Sequence, residues 1–181
     1  MKVCIMGQGY ICLPTAALFT RHHCEVVGVD VNEEIVNNLN KGIVHIEEPG
    51  ISDIIKNAVK NEVYTASLTP QKADAFIITV PTPYIIENYS CDLSYVVSAC
   101  ESILPYLEKG NIVIIESTIA PMSTDEVIKP IFEKAGFTIG EDLYLAHCPE
   151  RVLPGRILEE LVHNDRIIGG VTPECAVKAS E

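Results

Sequence analysis

The chain has 181 residues, 48% apolar and 21% charged, which excludes a disordered or low-complexity polymer and allows burial of about 70% of the unfolded surface in one domain without a metal or disulfide staple. The net charge is −12, a balance that repels phosphate backbones and anionic lipid and argues against nucleic-acid and membrane partners. The seven cysteines include no C-x-x-C pair, so they read as free thiols in a reducing, cytoplasmic setting rather than a disulfide framework or zinc site.

In chain order, short β-branched runs alternate with helical patterns. Residues 3–6 (VCIM) predict a first strand and 10–22 a helix. The stretch 10–19 is apolar but interrupted by Pro14 and Thr15, and it is too short to span a bilayer. The N-terminus carries no signal-peptide pattern. A second strand spans 26–29 and ends in Asp30. Asn32 is placed to cap a helix over 32–40, with Glu33 and Glu34 in its first turn and Gly42 as its stop. A helix over 51–59 follows Pro49-Gly50, then a strand over 63–67. The AFIITV run at 75–80 is apolar throughout, as in a parallel sheet buried on both faces. Next come a helix over 92–107, an apolar strand over 112–115, and a helix over 123–135 with Ser123 and Glu126 at capping-box spacing. A sixth strand covers 143–146, a short helix 157–162 and a seventh strand 166–171. The alternation predicts an α/β, Rossmann-like, doubly wound parallel sheet with helices on both faces. Thr172-Pro173-Glu174 then opens another helix. Only about eight residues remain, too few for a stable isolated helix. The expected organisation is therefore one Rossmann-like domain over 1–171 and, over 172–181, the start of a helix leading into a longer protein; the bland alternative is an ordinary frayed terminus.

Gly7-Gln8-Gly9-Tyr10-Ile11-Cys12 lies between the first strand and first helix, where a dinucleotide turn has G-x-G-x-x-G. Gly7 allows the tight turn, Gly9 lets a pyrophosphate approach the backbone, and the helix N-terminus supplies N–H donors and a partial positive charge to receive it. This holds an anion without Lys or Arg on an acidic surface. Cys12 stands at the third glycine position, a small residue that buries well but sets the helix slightly further out. Asp30, 21 residues after Gly9, can accept hydrogen bonds from adenosine ribose hydroxyls and would repel a 2′-phosphate, which favours NAD over NADP. The bland alternative for Asp30 is a solvated loop acid.

Ligands of such sheets sit at the carboxyl ends of the strands. Those ends read Pro81-Thr82-Pro83, Glu116-Ser117-Thr118 and Cys148-Pro149-Glu150-Arg151. Thr82 and Thr118 can hydrogen-bond a nicotinamide or a reactive water. Glu150 can act as a base or water-positioning carboxylate, and Arg151 can bind an anionic substrate. Each is also an ordinary turn or cap residue, so their shared edge carries the argument.

The stretches VCIMGQGYICLPTAALF, GVDVN, HIEEPG, ADAFIITVPTP, DLSYV, VIIEST, CPERVLPG and NDRIIGG resemble the N-terminal, NAD-binding domain of the nucleotide-sugar 6-dehydrogenases (the UDP-glucose/GDP-mannose dehydrogenase family). CPERVLPG separates the chain from the glucose branch, which has an NPEF-like run there, and is similar to the branch acting on UDP-N-acetylmannosamine. The resemblance implies oxidation of a sugar C6 alcohol to a carboxylate with two NAD+, through an enzyme-bound thiohemiacetal and thioester. It implies NAD contacts at Tyr10, Ile11, Asp30, Thr82 and Thr118, UDP-sugar contacts at Arg151 and Val152, and water or proton handling by Glu150. The chain departs from the family at Cys12, at Ile35 (often an Arg over the adenine) and at Met122 (usually Gly).

The family's nucleophilic Cys, in a G-x-C context, and its Lys and Asn lie in segments that this sequence does not contain. Cys148 is the local thiol nearest the strand ends and reads as packed. The five His are scattered, so no metal is expected. The reading is thus the cofactor-binding part of a UDP-sugar dehydrogenase, inactive alone and homo-oligomeric. One alternative is a stand-alone or vestigial dinucleotide-binding module. A methyltransferase would have an acid before the first glycine, where Met6 stands.

Overall fold

The computed structural model describes residues 1–87 and 89–181. Its main sheet contains β1 (Lys2–Met6), β2 (Glu25–Val29), β3 (Tyr64–Ser67), β4 (Ala75–Ile78), β7 (Ile112–Ile115), β8 (Tyr144–His147) and β9 (Gly169–Gly170), in the order β3-β2-β1-β4-β7-β8-β9. The hairpin β5 (Tyr84–Ile85) and β6 (Ser90–Cys91) stands apart. The helices are α1 (Cys12–Arg21), α2 (Glu33–Leu39), α3 (Ile51–Lys60), α4 (Ser94–Ile103), α5 (Lys129–Lys134), α6 (Ile157–His163) and α7 (Pro173–Ser180).

Strand alternation builds the two layers. Val3 and Ile5 face α1 and α3, packing with Leu13, Ile51 and Ile55. Their neighbours Cys4 and Met6 face the other side, with Phe76, Ile78, Val96, Ile103 and Phe132. β4 is buried at all four positions, as its unbroken apolar run requires. The first six strands of the sheet run parallel, and their register brings Met6 level with Val29 and Ile78, Ile78 with Ile115, and Ile115 with His147. Gly7, Asp30, Thr79, Glu116 and Cys148 therefore leave the sheet along one edge, around the point where chain order reverses between β1 and β4.

Three local expectations are corrected. The seventh strand is two residues long and antiparallel to β8, not a parallel strand over 166–171. Arg166 is drawn instead into ion pairs at the sheet edge, and a Cβ on Gly170 would lie 2.2 Å from the Ala176 nitrogen of α7. The segment 123–135 is not one capped α-helix. Ser123 is buried and makes no capping bond, and a π-turn (Thr124–Ile128) precedes α5. Pro130 accounts for this, because it has no N–H and its ring clashes with the carbonyl four residues earlier in a regular helix. The hairpin β5–β6 has no counterpart in the predicted elements. Asn32, by contrast, caps α2 as expected, its side chain accepting from the Glu34 and Ile35 amides.

Beneath the first turn, Gln8 is fully buried, accepts from the Tyr64 hydroxyl at 2.7 Å and donates to the Gly7 and Ile5 carbonyls. A Cβ on Gly28 would lie 2.5 Å from both Gln8 Cδ and Tyr64 Oη. Gly28→Ala is expected to cost about 2–3 kcal/mol by overpacking. A urea midpoint unchanged from the native chain would contradict this packing.

Candidate functional site

The glycine turn is held from below. Gly7 has φ +96°, donates its N–H to the Val29 carbonyl at 2.7 Å, and would place a Cβ 3.2 Å from the Thr79 carbonyl oxygen. A side chain there would be strained and crowded together. A Cβ on Gly9 would meet nothing within 4 Å, so the space above the turn is open to a ligand. α1 starts at Cys12 without a side-chain cap, and among the described residues none accepts from the Tyr10 or Ile11 N–H. Those amides fit a diphosphate.

Asp30 is half-buried beside the turn. One carboxylate oxygen accepts from the Gln8 N–H at 3.0 Å and the other from the Asn32 N–H at 2.9 Å. Each oxygen retains lone-pair capacity for a ribose hydroxyl. Cys12 packs its thiol under the turn, 3.2 Å from the Thr79 carbonyl. Burial pushes the thiol up to about 11, so it is protonated at neutral pH and acts as a packed donor rather than a nucleophile.

These groups line a cavity of about 460 Å3 that reaches Gly7, Gly9, Tyr10, Ile11, Asp30, Thr82, Thr118, Glu150 and Val152. Thr82 Oγ1 donates to the Thr118 carbonyl at 2.7 Å, tying two strand ends across the mouth. Arg151 is not in the lining. It is exposed, and its guanidinium donates to the Asp165 carbonyl at 3.0 Å. Ile35 packs partly buried against the core. Met122 holds φ +67°, the left-handed conformation that glycine adopts freely, and stands beside a neighbouring 330 Å3 cavity. No group of three or more His, Cys, Asp or Glu among the described residues is arranged to hold a metal.

Sequence reasoning missed the ionic part of this edge. Glu116 Oε1 and Glu150 Oε2 each lie 2.5 Å from an Arg166 nitrogen, and the same guanidinium is 3.3 Å from Cys148 Sγ. Both carboxylates are buried, at 4% and 8% side-chain exposure. Thr15 Oγ1 reaches Glu116 Oε2 at 3.4 Å. Burial raises the Glu116 pKa above its ordinary value, with Arg166 opposing. An acid directly after four apolar strand residues was the available signal, but its partner lies 50 positions away. Behind the pair, a mostly apolar cavity of about 420 Å3 lies between α1 and the α6 and α7 side.

The sheet order, the glycine turn with free amides and the acid at the end of β2 define a dinucleotide-binding domain. The chain belongs to the UDP-glucose/GDP-mannose dehydrogenase family, whose NAD binding domain matches residues 1–181. It is 50% identical over 184 residues to the UDP-N-acetyl-D-mannosamine dehydrogenase of Methanococcus maripaludis strain C7, covering 99% of this chain and 41% of that protein. To the Escherichia coli K12 enzyme of the same name it is 45% identical, covering 99% and 44%. The solved UDP-N-acetyl-mannosamine dehydrogenase of Staphylococcus aureus superposes with a TM-score of 0.95 at 51% identity, covering 99% of this chain and 44% of that one. The chain thus spans less than half the length of the relatives it matches.

Arg166→Met leaves two buried carboxylates without a counter-ion and is expected to cost about 3 kcal/mol at neutral pH. The folded chain then binds a proton at Glu116 more tightly than the unfolded chain, so the variant loses stability as pH rises and regains it in acid. Urea midpoints at about pH 5 and about pH 8 check this; a loss equal at both, or none, would contradict it.

Proposed function

We propose that the chain is the cofactor-binding part of a nucleotide-sugar 6-dehydrogenase that oxidises UDP-N-acetyl-D-mannosamine to the corresponding uronate with two NAD+. The observation that carries the reading is the open cavity joining the glycine turn and Asp30 to the strand ends at Thr82, Thr118 and Glu150. The names of its relatives support the substrate.

In this reading Gly7, Gly9, Tyr10 and Ile11 hold the diphosphate by backbone contact and the helix N-terminus. Asp30 orients the adenosine ribose. Thr82 and Thr118 position the nicotinamide end, whose bound cofactor supplies hydride acceptance. Thr118 also orders a water there. Glu150, fixed by Arg166 on one oxygen and by the Arg151 N–H at 2.8 Å on the other, handles the proton of that water. Val152 and Arg151 contact the UDP-sugar, Arg151 after turning from the Asp165 carbonyl.

The acyl-carrying cysteine belongs outside this sequence, so the chain binds cofactor but does not turn over alone. The boundary between the dinucleotide domain, 1–171, and the connecting helix, 172–181, belongs to the same proposal. So does a cytoplasmic setting; no helix among the described residues is long and apolar enough to cross a membrane. Exposed Tyr84, Ile86 and Tyr89 around the hairpin support self-association into a homo-oligomer.

Calorimetry on the 181-residue chain tests the reading. NAD+ is expected to bind, NADP+ to bind more weakly, and Asp30→Ala to weaken NAD+ by about tenfold or more, the loss of charge-assisted hydrogen bonds. No heat with NAD+ at millimolar concentration would overturn the cofactor site. Steady NADH production from UDP-N-acetyl-D-mannosamine by the chain alone would overturn the assignment of the nucleophile.

A further inference from the structure

The HIEEPG segment between α2 and α3 has no role in the site as described, yet it touches both halves of it. Glu48 is a buried carboxylate at 8% exposure. Its two oxygens accept from the Gly155 N–H and the Ile157 N–H, each at 2.7 Å. The adjacent Glu47 carbonyl accepts from the Tyr10 hydroxyl at 2.7 Å.

α6 lacks a side-chain cap of its own, since Arg156 supplies none. A carboxylate from 109 positions upstream in the chain takes that role. Charge-assisted bonds to backbone N–H groups are stronger than neutral ones, and a negative charge suits a helix N-terminus. The other contacts of the loop 151–156 run to α6 and the residues after it, where the Leu153 N–H donates to Glu160, Asn164 donates to the Arg151 carbonyl and the Arg151 guanidinium donates to the Asp165 carbonyl, and to the ion cluster, where the Arg151 N–H donates to Glu150. Among the described residues none of these reaches Tyr10 or the 47–48 backbone. Ile157 is fully buried and Leu158 packs against the apolar core, an attraction without direction. Glu48 supplies a directional link from the far end of the loop to the segment that bonds Tyr10, and the loop it fixes presents Val152 to the cavity.

We propose that Glu48 is a positioning residue that registers the loop 151–156 against the dinucleotide turn, with the Glu47 carbonyl and Tyr10 hydroxyl completing the connection. The proposal rests on the reading that the cavity holds the dinucleotide. Filling the cavity restrains Tyr10, Tyr10 restrains the 47–48 backbone, and the Glu48 carboxylate passes that restraint to the Gly155 and Ile157 amides. The site that receives the UDP-sugar is thereby ordered by the cofactor that must be present for its oxidation.

Residue-resolved amide hydrogen exchange on the chain, with and without saturating NAD+, tests this. NAD+ is expected to slow exchange at Gly155 and Ile157 by about fivefold or more, the lower end of usual site–site coupling. In Glu48→Gln one acceptor oxygen becomes a donor facing an N–H, and the slowing disappears. Tyr10→Phe loses only an exposed hydroxyl, keeps the fold, and also loses the slowing. A merely structural cap would leave the response to NAD+ intact in Tyr10→Phe. No slowing in the native chain, or equal slowing in Tyr10→Phe, overturns the proposal. Binding is scored separately by the NMR shifts of the Tyr10 and Ile11 amides. If those do not move with NAD+, the cofactor reading falls and the clamp falls with it; if they move while Gly155 and Ile157 do not respond, the clamp alone falls.

Discussion

The Asp30 carboxylate holds the end of β2 to the glycine turn, one oxygen on the Gln8 amide and the other on the Asn32 amide. That pair of bonds joins three things the site needs. It orients the turn whose amides are left free, it starts α2, and it sets a negative charge where a ribose rather than a phosphate fits. A chain carrying 25 acids against 13 bases gains little from long-range attraction for an anionic cofactor. Local dipoles must do the holding, and they act only if the turn is rigid. Gln8, buried and bonded to Tyr64 under Gly28, provides the floor that makes it so.

The features legible in sequence were those with local physical causes. The unbroken apolar run at β4 marks a strand with two buried faces, and the Asn32 cap follows from its side chain and its place before two acids. Gly7 stands out because its φ of +96° favours a residue without a side chain, and Gly9 because a side chain there would take up the space left open for a ligand. Cys12 departs from the glycine pattern, yet its thiol fits beneath the turn and bonds the Thr79 carbonyl.

Illegible features depend on partners far apart in the chain. Glu116, Glu150 and Arg166 form one ion cluster only because parallel register brings the β7 and β8 ends side by side. From sequence, Arg166 looked like the start of a strand. The two-residue, antiparallel β9 is the same error seen from the backbone, since a residue committed to an ion pair at the sheet edge does not extend a ladder. Glu48 is hidden for the same reason, the two N–H groups that donate to it lying more than a hundred residues downstream. The π-turn before α5 was readable in principle, because Pro130 cannot continue the hydrogen-bond pattern of the helix the periodicity suggested.

The central claim is that backbone amides at the start of α1, with Asp30 alongside, form the cofactor seat. A crystal of the chain soaked with NAD+ tests it most directly. The account predicts the diphosphate within hydrogen-bond distance of the Tyr10 and Ile11 nitrogens and the adenosine ribose hydroxyls on Asp30. Cofactor density in the apolar cavity between α1 and α7, or a Cys12 thiol turned into the space above Gly9 with no cofactor there, would contradict it.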